Sequence, residues 1–131
     1  AIGFHSATIA DIAKPTSRVI AVSAALPVRD AMNLCLEKQL SKFPVRDDRT
    51  GKWIGVFSAY HAMFAIREEE WTRRNAAECM LPLIGIPAST PLGEALKQTK
   101  GTDSAMFAVL DADGTQTGIF TSFDLARKLF G

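Results

Sequence analysis

Phe107-Ala108-Val109-Leu110-Asp111, then Gly114, then Gly118-Ile119-Phe120-Thr121, is a pair of short apolar runs around a polar turn. The same phrase occurs earlier in the chain. Phe43-Pro44-Val45 with Asp47 leads through Gly51 to Gly55-Val56-Phe57-Ser58. Working outward, Pro27 stands before Ala31 and Met32 as Pro91 stands before Ala95 and Leu96. Residues 22–66 and 86–129 are therefore one pattern at a spacing of about 64, with a one-residue slip in the turn before Gly51 and Gly114. Internal repetition decides the architecture before any single residue is assigned.

Each copy reads as strand, helix, strand, strand, helix. In the first, Val19–Val22 is a short β-branched run, and Pro27 suits the first turn of a helix. Val28, Ala31, Met32, Cys35, Leu36 and Leu40 then recur at helical spacing. Phe43–Asp47 and Lys52–Ser58 are predicted strands around a turn rich in Asp, Thr and Gly, and a helix is predicted from about Ala59 to Glu70. The second copy gives a strand over Leu83–Ile86, a helix from Thr90-Pro91 to Gly101, strands over Ala105–Leu110 and Gln116–Thr121, and a helix over Ser122–Phe130. Each copy also has a leader, Thr8-Ile9-Ala10-Asp11 and Asn75-Ala76-Ala77-Glu78, with a carboxylate three residues after an N-cap residue. The expected organisation is a first repeat over 8–66, a connector over 67–75 and a second repeat over 76–131. The fold class is α+β: two βαββα units, packed sheet to sheet with pseudo-two-fold symmetry so that each covers apolar surface the other leaves exposed.

Composition narrows the function classes. A 47% apolar content supports a packed core, and a formal charge of +1 supplies no field to draw in nucleic acid or an anionic bilayer. Arg67, Arg73 and Arg74 bracket Glu68-Glu69-Glu70, which reads as a solvated helix face. No apolar run approaches the ~20 residues that cross a bilayer, and no basic-then-apolar leader opens the chain. The first residue is alanine, which reads as a piece of something longer. Cys35 and Cys79 lack metal-ligand spacing and read as buried reduced thiols, as in a cytosolic domain. Trp53 and Trp71 read as packing residues, since no basic groove accompanies them. Asp111-x-Asp113-Gly114 lacks the closing Glu of a calcium loop and suits a hairpin turn. No catalytic set of nucleophile, histidine and acid, no paired catalytic carboxylates and no metal quartet emerge, so an enzyme is not expected.

The doubled set, in order, resembles a tandem pair of cystathionine-β-synthase (CBS) domains, also called a Bateman module. The resemblance runs from about Thr8 to Phe130. It is carried by the Thr8–Ile12 leader, the Pro27 and Pro91 helices, Phe43-Pro44-Val45-Arg46-Asp47, Phe107–Asp111 and Gly118–Leu125. Leu40-Ser41-Lys42-Phe43-Pro44-Val45, Ile54-Gly55-Val56 and the ending Leu129-Phe130-Gly131 are further similar to the cytosolic CBS pairs of CorC/CNNM-type, hemolysin-like membrane proteins linked to magnesium and divalent-cation transport. Two departures stand out. The first repeat lacks the acidic residue after its last strand, and Ala108 stands where proline is common.

Thr121-x-x-Asp124 carries the candidate chemistry. A strand running straight into a helix leaves the first helical amides unpaired and positive, so a phosphate or ribose meets N–H donors there. A carboxylate three residues on can accept both hydroxyls of a ribose. The same spacing is also a capping box, which needs no ligand. The resemblance implies that Asp124 holds ribose hydroxyls and Thr121 contacts sugar or phosphate. It also implies that Ile84, Ala105 and Ile119 surround the base, with Ser104 as a polar neighbour. In the first copy Ser58 remains but His61 replaces the carboxylate, and a neutral imidazole cannot hold a diol as a carboxylate does. That second site is expected to be degenerate. The phosphate-contacting cation is open among Arg18, Arg67 and Arg127.

The resemblance therefore implies a regulatory module that binds ATP or AMP, with or without Mg²⁺, in the cleft between the repeats. It would act on an effector outside this chain, a transmembrane transport domain, from the cytoplasmic side. It also implies a homodimer and no nucleic-acid partner. The alternative is a structural dimerisation module that binds no nucleotide.

Overall fold

A computed structural model describes residues 7–102 and 106–131. In chain order its regular elements are β1 (Lys14–Pro15), β2 (Val22–Ser23), α1 (Val28–Lys38), β3 (Lys42–Arg46), β4 (Trp53–Ser58), α2 (Ala59–Ala65), β5 (Ile84–Pro87), α3 (Leu92–Thr99), β6 (Met106–Leu110), β7 (Gln116–Thr121) and α4 (Ser122–Phe130). Short 3₁₀ turns at Ile9–Asp11, Thr16–Arg18, Glu68–Glu70 and Ala76–Cys79 complete the set. The class is α+β, and the predicted order of elements recurs in both copies.

The repeat is visible bond by bond. β3 pairs antiparallel with β4 and parallel with β2, and β6 pairs antiparallel with β7 and parallel with β5. Both hairpins shift register at the same place, between Val45 and Arg46 and between Val109 and Leu110. The turns differ by the one-residue slip. Asp47 N–H donates to the Lys52 carbonyl across a longer loop, while Asp111 N–H donates to that of Thr115. Gly51 and Gly114 both sit at positive φ, 75° and 80°, where a side chain would be strained. Asp111 also accepts the amides of Asp113 and Thr115 on one oxygen, which makes this acidic run a turn closed on itself.

The chain divides into two compact units that do not follow the order of the repeats. One comprises the segment up to Val19 together with Ile84–Gly131; the other is Ile20–Leu83. Each leader thus docks on the other repeat. In the first unit Ile9 is fully buried among Ile86, Leu92, Phe107, Phe120 and Leu125. Its amide donates to the Thr90 carbonyl and that of Ala10 to Ala88, while Leu92 N–H donates to the Ala7 carbonyl. In the other unit Ala76 N–H donates to Leu26, Ala77 to Ala24, and Val28 to the Arg74 carbonyl. These are the same bonds, repeated. They also solve the start of α1 and α3, where Pro27 and Pro91 offer no side-chain cap and the first amides need acceptors from elsewhere.

The leaders then cover sheet edges. Lys14–Pro15 pairs antiparallel with Ile119 and Gly118 to give the order β1-β7-β6-β5, and Leu81 exchanges two 2.8 Å bonds with Val56 beside β4. An unpaired edge strand would leave its amides and carbonyls without partners. The repeated glycines make room for this. A Cβ at Gly118 would lie 2.5 Å from the Lys14 carbonyl oxygen, and one at Gly55 would lie 2.9 Å from that of Leu81.

The helix after β4 is shorter than the predicted Ala59–Glu70 span. It ends at Ala65 because Ile66 turns extended (φ −131°, ψ 128°) and buries its side chain, and Glu68–Glu70 forms a separate 3₁₀ turn. Trp71 locks this bend. Its indole N–H donates to the Ile66 carbonyl at 3.0 Å, its ring lies 5.0 Å from the Arg29 guanidinium, and its carbonyl accepts the Arg29 amide. Residues 67–75 therefore pack against the first repeat. Cys35 and Cys79 are both free and buried in that unit's core, and burial raises both thiol pKa values.

Candidate functional site

β7 runs directly into α4, and Thr121 stands at the junction with extended dihedrals (φ −114°, ψ 163°). Leu125, buried in the core, anchors the first turn of the helix and leaves Thr121 and Asp124 half-buried at its start. The two side chains bond reciprocally. Asp124 N–H donates to Thr121 Oγ1 at 3.1 Å, and Thr121 N–H donates to Asp124 Oδ2 at 2.9 Å. The capping box is therefore real, and it commits one carboxylate oxygen. The other, Oδ1, lies 3.7 Å from the Arg127 guanidinium, which also sits 5.6 Å from the Phe123 ring. Of the cations considered from sequence, Arg127 is the one that forms an ion pair with Asp124; Arg18 ends the 3₁₀ turn Thr16–Arg18, and Arg67 caps the 3₁₀ turn Glu68–Glu70.

A cleft of about 320 Å³ opens at this point, lined by Asp11, Ile12, Asp124, Arg127 and Lys128. Asp11 has the same bonding habit as Asp124: its Oδ2 accepts the Thr8 amide at 2.8 Å. Two carboxylates, each with one oxygen tied to a backbone amide, thus face two cations. The leader residues were not legible as site residues, because nothing near Asp11 in sequence signals its approach to α4.

Strand alternation sorts the apolar candidates. Ile84 pairs with Phe107, which pairs with Phe120, and these side chains share the face that carries the core. Ile119 pairs with Ala108, and Thr121 with Met106, on the opposite face. The structure therefore groups Ile119 with Thr121, Ala108 and Met106, and puts Ile84 on the other side of the sheet. Period-two counting from Thr121 reaches Ile119 along β7, whereas Met106 and Ala108 follow only from the register of β6 on β7. Ser104 and Ala105 lie outside the described residues.

The first copy shows what remains without the carboxylate. Ser58 is buried at the start of α2 and its Oγ accepts the His61 amide at 3.3 Å, so half of the box persists. His61 is half-buried and brings no carboxylate to Ser58, so the reciprocal box of Thr121 and Asp124 is not formed here. Among the described residues, no group of three or more His, Cys, Asp or Glu side chains is placed to hold a metal ion, and no helix is long and apolar enough to cross a membrane.

Comparison with known proteins agrees with this doubled architecture. The CBS domain of a bacterial CNNM/CorC-family Mg²⁺ transporter in complex with ATP superposes with a TM-score of 0.88 at 22% identity, covering 99% of this chain and 92% of that one. A hemolysin-like protein containing a CBS domain from Oenococcus oeni PSU gives 0.85 at 24% identity, over 99% and 95% of the two chains. CBSX2 in complex with AMP gives 0.76 at 28% identity, over 93% and 95%. In sequence, the UPF0053 protein MG146 of Mycoplasma genitalium is 27% identical over 108 residues, 79% of this chain. The chain spans about a quarter of that curated relative's length. The CBS domain family model matches residues 9–68 and again 76–131, so that the repeat seen in sequence and in hydrogen bonding is a family signature: the chain belongs to the CBS-domain family and carries two copies of the domain.

Proposed function

We propose that this chain is a regulatory, non-catalytic module that binds an adenine nucleotide, ATP or AMP, at the start of α4. The observation that carries the reading is Asp124. Its carboxylate is held by the Thr121 amide at 2.9 Å and keeps a second oxygen at the edge of a cleft that also contains Arg127 and Lys128. That oxygen can accept ribose hydroxyls, the exposed cations can meet phosphate, and the amides at the helix start add donors. Ile119 lies on the same sheet face as Thr121 but is only 7% exposed, so a base would meet no more than its edge. Similar CBS domains solved with ATP and with AMP support the ligand class. Ser58 and His61 form the degenerate counterpart. The likeness to CNNM/CorC and hemolysin-like proteins and to the UPF0053 protein supports an effector in a membrane transport domain, with this module on the cytoplasmic side. A ligand moves such an effector only by binding one arrangement of the module better than another.

A second reading, a dimerisation module without nucleotide, is favoured by a different observation. Tyr60, Met63 and Phe64 on α2, and Phe123 and Phe130 on α4, are each more than half exposed. Self-association is expected in both readings, so the oligomeric state does not separate them. Titration calorimetry with ATP, ADP and AMP, with and without Mg²⁺, does. The nucleotide reading expects saturable binding that Asp124→Ala abolishes while the variant stays folded by circular dichroism. No heat at millimolar nucleotide leaves only the dimerisation reading.

A further inference from the structure

We propose that the second repeat carries a peptide-binding socket whose occupant, the leader over residues 7–15, can be supplied by a second copy of this chain. The leader is bound as a peptide ligand is bound. Ile9 is fully buried among core residues of the second repeat, and the Ile9 and Ala10 amides donate at 2.9 and 3.0 Å to the Thr90 and Ala88 carbonyls. β1 then lies antiparallel along the edge of β7. Backbone bonds to a sheet edge with an apolar anchor are how extended peptides are captured. Leader and socket are also far apart in the chain. The chain leaves the leader's unit at Val19, builds the other unit over Ile20–Leu83, and only from Ile84 onward makes the socket.

The two leaders differ in this respect. The one over residues 75–81 docks inside the unit Ile20–Leu83, continuous with its socket, and follows a connector that Trp71 ties to Ile66. The first leader is joined to that unit through residues 16–21, between β1 and β2, and Thr16, Ser17, Arg18 and Ile20 in this segment are exposed. These residues are the hinge. An empty socket presents the β7 edge and a gap in an apolar core, and any copy of the leader fills both. The contacts of the docked leader are the same whether it comes from its own chain or from another. Exchange therefore costs only the change at the hinge and the loss of the tether. Reciprocal exchange closes into a dimer in which each chain completes the core of the other.

The test uses full-length chains and disulfide capture. Lys14 and Ile119 are partners across β1 and β7, and the Cα atoms of such pairs lie about 4.5–5.5 Å apart, within reach of a disulfide. One chain carries Lys14→Cys, a second carries Ile119→Cys, and a third carries both as the intramolecular reference; Cys35 and Cys79 are buried. The two single variants are mixed at about 0.1 mM, below the effective concentration of a short tether, and oxidised in air so that each exchange is trapped. The reference chain should close on itself. The mixture should give the mixed covalent dimer in about tenfold or greater excess over the two like-with-like dimers, the factor that burying one isoleucine supplies. Adding Ile9→Asp to the Lys14→Cys chain should remove that excess. A mixed dimer no more abundant than random encounter gives, or one that survives Ile9→Asp, overturns the proposal, as does a folded reference chain that fails to close. Where Ile119→Cys does not fold by circular dichroism, Thr8→Cys with Pro91→Cys probes the other end of the same docking, where these residues form a bridge, and is judged by the same outcomes.

Discussion

Replacing Gly118 by alanine asks whether the repeated glycine exists to let a leader cross a sheet edge. The added Cβ would stand 2.5 Å from the Lys14 carbonyl oxygen and 3.3 Å from its carbon. Carbon and carbonyl oxygen normally stay about 3.3 Å apart or more, and both atoms in conflict belong to rigid positions, one to backbone. β1 is two residues long, so it has little to hold it once pushed. A local shift costs about 1–3 kcal/mol, as overpacking does. If the leader undocks, the loss of Ile9 burial costs about 1.5–3 kcal/mol, and the bonds from Ile9 and Ala10 add about 0.5–1.5 kcal/mol each. The expected destabilisation is therefore about 1–3 kcal/mol if the strand shifts and about 2.5–6 kcal/mol if the leader undocks, a large share of the stability of a small domain. Urea unfolding followed by far-ultraviolet circular dichroism measures it. Gly93→Ala is the control: nothing lies within 4 Å of a Cβ there, and in α3 alanine should be neutral or stabilising by up to about 1 kcal/mol. A Gly118→Ala protein within about 0.5 kcal/mol of the parent, less than any of these effects allows, would refute the reasoning.

Further expectations concern the other unit. Trp71→Phe removes the indole bond to Ile66 and weakens the stacking with Arg29, and should cost about 1–2 kcal/mol in the same urea assay. Glu78 has its pKa lowered by the Asn75 amide first and Arg74 second. Its contribution is complete above its unfolded pKa and is lost as pH falls through the lowered folded value, so the stability gap between the parent and Glu78→Gln should close below the ordinary carboxylate range. Burial raises the thiol pKa of Cys35 and Cys79, so the folded state keeps its protons where the unfolded state loses them. Stability should fall as pH rises through the ordinary thiol range, and this slope should vanish in the Cys35→Ala/Cys79→Ala protein. In the parent, both thiols should react with iodoacetamide more slowly than a free thiol, by a factor set by how often the core opens.

Much of the candidate site was legible as spacing. Thr121 and Asp124 were found because a capping box is a three-residue event, and Ser58 with His61 was found by comparing the copies. Asp11, Arg127 and Lys128 came together only in three dimensions, since the leader reaches α4 from more than a hundred residues away in the chain. The facing of Ile84 and Ile119, both expected from the resemblance to surround the base, was not legible for another reason. Both read as apolar strand residues, but facing depends on which partner each pairs with, and Phe107 and Ala108 point to opposite sides. The early end of α2 belongs to the same class: no breaker marks Ile66, and it turns extended because Trp71 and the core need it there.

By itself, then, the sequence determined the repeat, the strands and helices within it, the turns at Gly51 and Gly114, and the caps. All of these are decided by bonds between residues a few positions apart. It did not decide which leader belongs to which repeat. Ala24 and Leu26 offer one leader the same carbonyls that Ala88 and Thr90 offer the other, and Gly55 and Gly118 clear the same path. Two sockets so alike make either assignment locally acceptable. Only the tertiary structure chose, by burying Ile9 with Phe107 and Phe120, and Ala76 with Phe43 and Phe57.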